Sequence, residues 1–136
     1  MKVLLEYGAF MPERAHDLDA GYDLRTPIDF TIYYGRSFTV DTGVHVQIPS
    51  GYVGFLKSKS GLNVGCGITG EGVIDAGYTG SIKVKLKNDS YMSHEFKKGD
   101  KIIQLVILPI FTPELEQVDC LMVTERGNNG FGSTGR

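Results

Sequence analysis

Two aspartates stand where a carboxylate could act on a small anionic ligand. Asp75 follows Gly72-Val73-Ile74 and precedes Ala76-Gly77-Tyr78, and Asp23 lies in Ala20-Gly21-Tyr22-Asp23-Leu24. A carboxylate at the mouth of a strand, with apolar residues behind it, has its conformation fixed and its solvent restricted. It can then orient and deprotonate a water. The structural alternative is an Asx-type turn, and for either aspartate alone that is the better reading. Three nearby segments combine glycine with hydroxyls: Lys57-Ser58-Lys59-Ser60-Gly61, Thr69-Gly70-Glu71-Gly72 and Gly132-Ser133-Thr134-Gly135. Glycine lets backbone N–H groups approach and converge on phosphate oxygens. Each segment is a weak signal by itself, and none is a Walker A loop.

Charge narrows the ligand. The formal net charge is −2, so nothing pulls the whole protein toward nucleic acid or an anionic membrane. A polyanion must be held by a local site, which favours a small phosphorylated compound. Cys66 and Cys120 are the only cysteines, and without a CxxC or a Cys/His cluster they read as two reduced thiols. The opening MKVLLEYGAF is too short and polar for a signal peptide, and no apolar run approaches a membrane span. The expectation is a soluble, cytoplasmic protein, in the host cell's cytoplasm if phage-encoded.

The elements that would carry these residues read as strands. The 136 residues suit one hydrophobic core, and 41% hydrophobic with 22% charged residues is ordinary for a globular chain. Val44, Val46 and Ile48 alternate with His45 and Gln47, and Ile82, Val84 and Leu86 alternate with Lys83, Lys85 and Lys87. Period two sends the three lysines to one face, read as solvated, and the apolar trio to the other. Ile102 to Leu108 is almost wholly apolar and predicts a strand buried on both faces. Gln104 inside it needs partners for its amide, either backbone or ligand. No segment keeps a helical period for three turns, and Glu13 to Asp19 is the best candidate for a helical turn. Recurrent strand signals with Gly/Pro punctuation predict an all-β sandwich or barrel. The end of the chain, ERGNNGFGSTGR, has little to bury except Phe131.

The order of these segments is more specific than any one of them. Ala20–Leu24, Lys59-Ser60-Gly61-Leu62, Gly72–Gly80, Gly99-Asp100-Lys101-Ile102 with Gln104-Leu105, and Arg126–Gly135 resemble, in order and approximate spacing, the five motifs of the dUTPase family. The resemblance implies an all-β, distorted jelly-roll or barrel subunit over residues 1–124 and a C-terminal arm over 125–136. It implies a homotrimer in which each site draws on all three chains and the arm closes over a neighbour's site. The implied reaction is hydrolysis of dUTP to dUMP and pyrophosphate, which limits uracil incorporation into DNA and supplies dUMP for dTMP synthesis.

Position by position, the resemblance makes Asp75 the general base for water attacking the α-phosphorus. Tyr78 would stack on the deoxyribose and exclude a 2′-hydroxyl. The backbone around Gly72 and Val73, with Thr69 nearby, would read uracil. Lys59, Ser60, Gly61 and Gln104 would bind phosphate, and Asp23 would hold a water of a Mg²⁺ chelated by the triphosphate. Phe131 would stack on uracil, while Arg126, Gly132, Ser133 and Thr134 would hold the phosphate chain. Two positions depart from the family's common pattern. Lys59 stands where Arg is frequent, losing the bidentate fork, and Thr69 stands where Asn is frequent. Two rivals share the fold. A dCTP deaminase would need a Glu-bearing deaminase motif that no segment here resembles, and a non-catalytic binding protein would not need Asp23, Asp75, Tyr78 and Phe131 together. Some viral dUTPases also bind regulatory protein partners, so both roles can coexist.

Overall fold

A computed structural model describes residues 1–130. Eleven strands and one short helix follow one another as β1 (Lys2–Leu5), β2 (Gly21–Arg25), β3 (Phe30–Ile32), β4 (Ser37–Asp41), β5 (Val44–Gln47), β6 (Tyr52–Lys57), α1 (Ser60–Cys66), β7 (Ile68–Thr69), β8 (Glu71–Ile74), β9 (Lys83–Asn88), β10 (His94–Phe96) and β11 (Lys101–Pro109). Strand pairing is antiparallel throughout, in sheets ordered β2-β11-β6-β8, β4-β9-β7, β1-β5 and β10-β3. The expected all-β class is the observed one, and these sheets close around one core that includes Leu24, Val40, Val84, Ile103 and Leu105.

Alternation was a sound guide where one face meets solvent. In β9 the apolar Val84 and Leu86 are buried and Lys83, Lys85 and Lys87 exposed, each lysine opposite a residue of β4. Asn88 closes the strand fully buried, and its amide is saturated: Nδ2 donates to Ile32 O at 3.0 Å and Met92 O at 2.7 Å, and Oδ1 accepts from Ser90.

Three expectations need correction. β11 is not buried on both faces along its whole length. A bulge between Lys101 and Ile103 puts consecutive isoleucines 102 and 103 into the core, while Leu108 and Pro109 are exposed in this chain. Glu13 to Asp19 forms no helix, because Glu13 bridges to Asp23 and the following residues only turn. The helix that does form, α1, lies in the segment read as a glycine loop. It buries no residue and its N-cap, Lys59, makes no side-chain cap. It ends on Gly67, whose φ of 66° is a conformation glycine adopts without penalty.

After Pro109 no strand or helix occurs among residues 110–130. That segment nevertheless carries Phe111, Leu115, Leu121, Met122 and Val123 with at least 84% of each exposed.

Candidate functional site

A buried carboxylate anchors one end of the four-stranded sheet. Asp23 faces Gln104 across β2 and β11, and only 6% of it is exposed. Leaving such a charge unpaired would be costly, and two cations meet it. Lys59 donates to Oδ1, and Lys101 Nζ lies 2.7 Å from Oδ2. Burial pushes the Asp23 carboxyl up, but hydrogen bonds and charge from Lys101 and Lys59 outweigh it and leave the group below its ordinary value. Gln104 answers its own burial by donating from Nε2 to Ser58 O at 3.2 Å. Its side chain lies so close to Gly21 that a Cβ there would stand 2.4 Å from Oε1. This close approach is the physical reason for glycine at position 21.

Ser58 joins this end to the neighbouring hairpin. Its hydroxyl donates to Gly70 O at 3.0 Å and accepts from Gly70 N at 2.9 Å. The chain therefore leaves β6 at a fixed point, and α1 starts directly after Lys59. Its first-turn amides, at Ser60 and Gly61, lack intrahelical acceptors. Thr69, on β7, pairs with Lys87 of β9. Gly72, on β8, packs against Leu56, which a Cβ would meet at 3.0 Å, and Val73 beside it is exposed.

Asp75 stands at the opposite end of β8. Ile74 pairs with Gly54 while Glu71 pairs with Lys57. Three strand steps of about 3.3 Å, together with the residues beyond each end, put more than about 10 Å between Asp75 and the Lys59 loop. Asp75 is exposed, so the solvent restriction expected of it is not supplied by the chain around it. It opens a turn closed by Tyr78 N donating to Asp75 O at 3.0 Å. The Tyr78 hydroxyl donates to Ser81 O at 2.9 Å, and its ring lies across Gly80, where a Cβ would be 2.5 Å from that hydroxyl. The Ser81 hydroxyl in turn donates to Asp41.

One chain thus brings together Asp23, Lys59, Ser60, Gly61 and Gln104, and separately Asp75 and Tyr78, with Thr69, Gly72 and Val73 on the hairpin between. Arg126 is exposed and donates from Nε to Asn129 O at 3.2 Å, away from both groups in contact. Phe131, Gly132, Ser133 and Thr134 lie outside the described residues. Sequence reading did not single out Lys101 or Ser58. Lys101 meets Asp23 only once β2 and β11 pair, so no local signal marked it, and Ser58 was visible only as one hydroxyl of a glycine-rich segment. Among the described residues no cluster of three His, Cys, Asp or Glu could hold a metal ion, and no helix is long and apolar enough to cross a membrane.

The dUTPase family model matches residues 8–135. The chain belongs to the dUTPase family. The deoxyuridine 5′-triphosphate nucleotidohydrolase of Tropheryma whipplei is 42% identical over 133 residues, covering 95% of this chain and 91% of the relative. The human mitochondrial protein of the same name is 43% identical, covering 94% of this chain and 51% of its own length. Among solved dUTPases, that of Staphylococcus bacteriophage 80alpha, a mutant with dUpNHpp, superposes with a TM-score of 0.93 at 37% identity, covering 99% of this chain and 98% of that one. A mutant dUTPase of phage phi11 of S. aureus, described with a structural Mg(II) ion, gives 0.81 at 36% identity over 87% of this chain and 95% of that one.

Proposed function

We infer that this protein hydrolyses dUTP to dUMP and pyrophosphate, with Asp75 as the general base. The supporting observation is the pairing of two half-sites inside a dUTPase fold: a cationic end built on Asp23, Lys59, Lys101 and Gln104, and an exposed carboxylate held in a turn beside Tyr78. Asp75 takes a proton from water as the water oxygen bonds to the α-phosphorus. The α-phosphorus–oxygen bond to the β-phosphate breaks, and pyrophosphate leaves with that electron pair. Lys59, the amides of Ser60 and Gly61, and Gln104 bind phosphate oxygens. The Gly72–Val73 backbone, near Thr69, reads the uracil edge, and the Tyr78 ring excludes a 2′-hydroxyl. Arg126, Ser133, Thr134 and Gly132 hold the phosphate chain, and Phe131 stacks on uracil.

Mg²⁺ fits this site as an ion carried by the substrate. Asp23 offers one carboxylate whose oxygens already face two ammoniums, which suits contact through a water and not an all-protein cage. Bound to the triphosphate near Asp23, such an ion would supply charge neutralisation to the departing pyrophosphate.

A homotrimer accounts for two features at once. Base and phosphate loop are more than about 10 Å apart along one sheet, and the apolar residues from Phe111 to Val123 have no cover in one chain. Exposed apolar surface of that kind marks an interface. Pyrophosphate release from dUTP, with dTTP, dCTP and UTP as controls, tests the reading. The expected result is release from dUTP alone at substantial rate. Ammonia from dCTP, or no turnover of dUTP, contradicts it.

A further inference from the structure

His45 stands on β5 outside every segment assigned to the nucleotide, yet both its ring nitrogens are engaged. Nδ1 lies 2.8 Å from Thr79 O and Nε2 lies 2.9 Å from Glu6 Oε1. The Thr79 carbonyl can only accept, so Nδ1 carries the proton of that bond, and an ionised Glu6 carboxylate accepts from Nε2 when the ring is an imidazolium. Thr79 follows Tyr78 directly and lies inside the turn that runs from Asp75 to Ser81. We propose that His45 is a positioning residue, which fixes the Asp75–Ser81 turn by donating a hydrogen bond to the Thr79 carbonyl while Glu6 holds the ring from behind.

The surroundings support the role. Ser81, at the end of the turn, is held by Asp41, and Ile82 N donates to Val44 O at 2.9 Å. Between the Asp75–Tyr78 closure and Ser81, the Thr79 carbonyl is tied down by His45 alone among the described side chains. The charged groups facing the ring are Glu6 after β1 and Asp41 on β4, while Lys2 on β1 lines the same cleft and Lys83 lies 4.0 Å from Asp41. The Thr79 carbonyl first, then Glu6, holds the imidazole above its ordinary value, and Asp41 adds to it. Aligned geometry is worth much in such reactions: misplacing a reacting group by about 1 Å costs up to about 10²-fold in rate.

The proposal rests on the Asp75 turn being the nucleotide site, and the test separates the two. Asparagine places its amide nitrogen where Nδ1 was, and glutamine places it where Nε2 was. With full-length protein, His45→Gln and His45→Ala should lose about 10- to 100-fold in kcat for dUTP, while His45→Asn should stay within a few-fold of the parent. Loss that follows melting temperature regardless of the replacement, or equal activity in the Gln and Asn variants, overturns the proposal. A parent protein that releases no pyrophosphate from dUTP sinks the functional reading instead. Nitrogen-15 NMR of the unaltered chain provides the second measurement, independent of variant folding. At pH 6 both ring nitrogens should carry protons, and an Nδ1 without one overturns the proposal.

Discussion

At the scale of single residues, the proposed chemistry rests on Asp75, Tyr78 and the lysine pair around Asp23. Replacing Asp75 with Asn removes the proton acceptor while keeping the side chain's size. Turnover should fall by about 10²–10⁴-fold with nucleotide binding retained, and steady-state kinetics showing more than a tenth of the parent rate would remove Asp75 from the role. Tyr78→Ala should narrow the preference for dUTP over UTP, because the excluded volume disappears. Gly80→Ala should do the same by a different route, since its Cβ would lie 2.5 Å from the Tyr78 hydroxyl and push the ring aside. Ratios of kcat/KM for the two nucleotides check both. Asp23 carries a pH signature. Its folded value is lowered from 3.8, so its ion pairs contribute their full stability above that value and lose it as pH falls through the lowered one. The difference in melting temperature between the parent and Asp23→Asn should therefore be constant from about pH 7 to 5 and shrink below about pH 4.

At the scale of elements, what the sequence reveals depends on whether a residue's environment is local. The lysines of β9 alternate with buried valine and leucine because one sheet face meets water, and that pattern was readable directly. The turn at Asp75 was readable as a type, whereas Ser60 and Gly61, read as part of a glycine loop, open a helix. α1 was not readable: its seven residues include two glycines and bury nothing, so no apolar period marks it. The pairing of Asp23 with Lys59 and Lys101 was equally hidden, because it joins residues 36 and 78 positions apart that meet only once β2, β6 and β11 assemble. The strand β11 misled in its second half, where apolar residues lie bare in one chain. Asn88 shows the same non-local logic in stability. Asn88→Ala would remove the buried hydrogen bond to the Ile32 carbonyl, whereas the exposed Met92 carbonyl keeps the Ser90 hydroxyl, and one unsatisfied buried group costs about 1–3 kcal/mol. Chemical denaturation should show a loss of about 1–3 kcal/mol with little change in kcat of the folded fraction.

At the scale of the whole molecule, the chain looks incomplete by itself. An exposed apolar segment follows β11, and the proposed base and phosphate loop sit at opposite ends of β8 and β6. The proposed closed symmetric association would resolve both, with Asp75 of one subunit working on a triphosphate held by the Lys59 loop of another. Mixing Asp75→Asn chains with Lys59→Gln chains is the most direct test. Glutamine retains a donor for Asp23 but not the charge for phosphate, so each parent should be nearly inactive. After subunit exchange, verified by native mass spectrometry, roughly a quarter of the sites in an equal mixture should combine an intact Asp75 with an intact Lys59. Pyrophosphate release from dUTP should then rise well above either parent. Complete exchange with no gain in activity would mean that base and phosphate loop come from the same chain, and the shared-site account would be wrong.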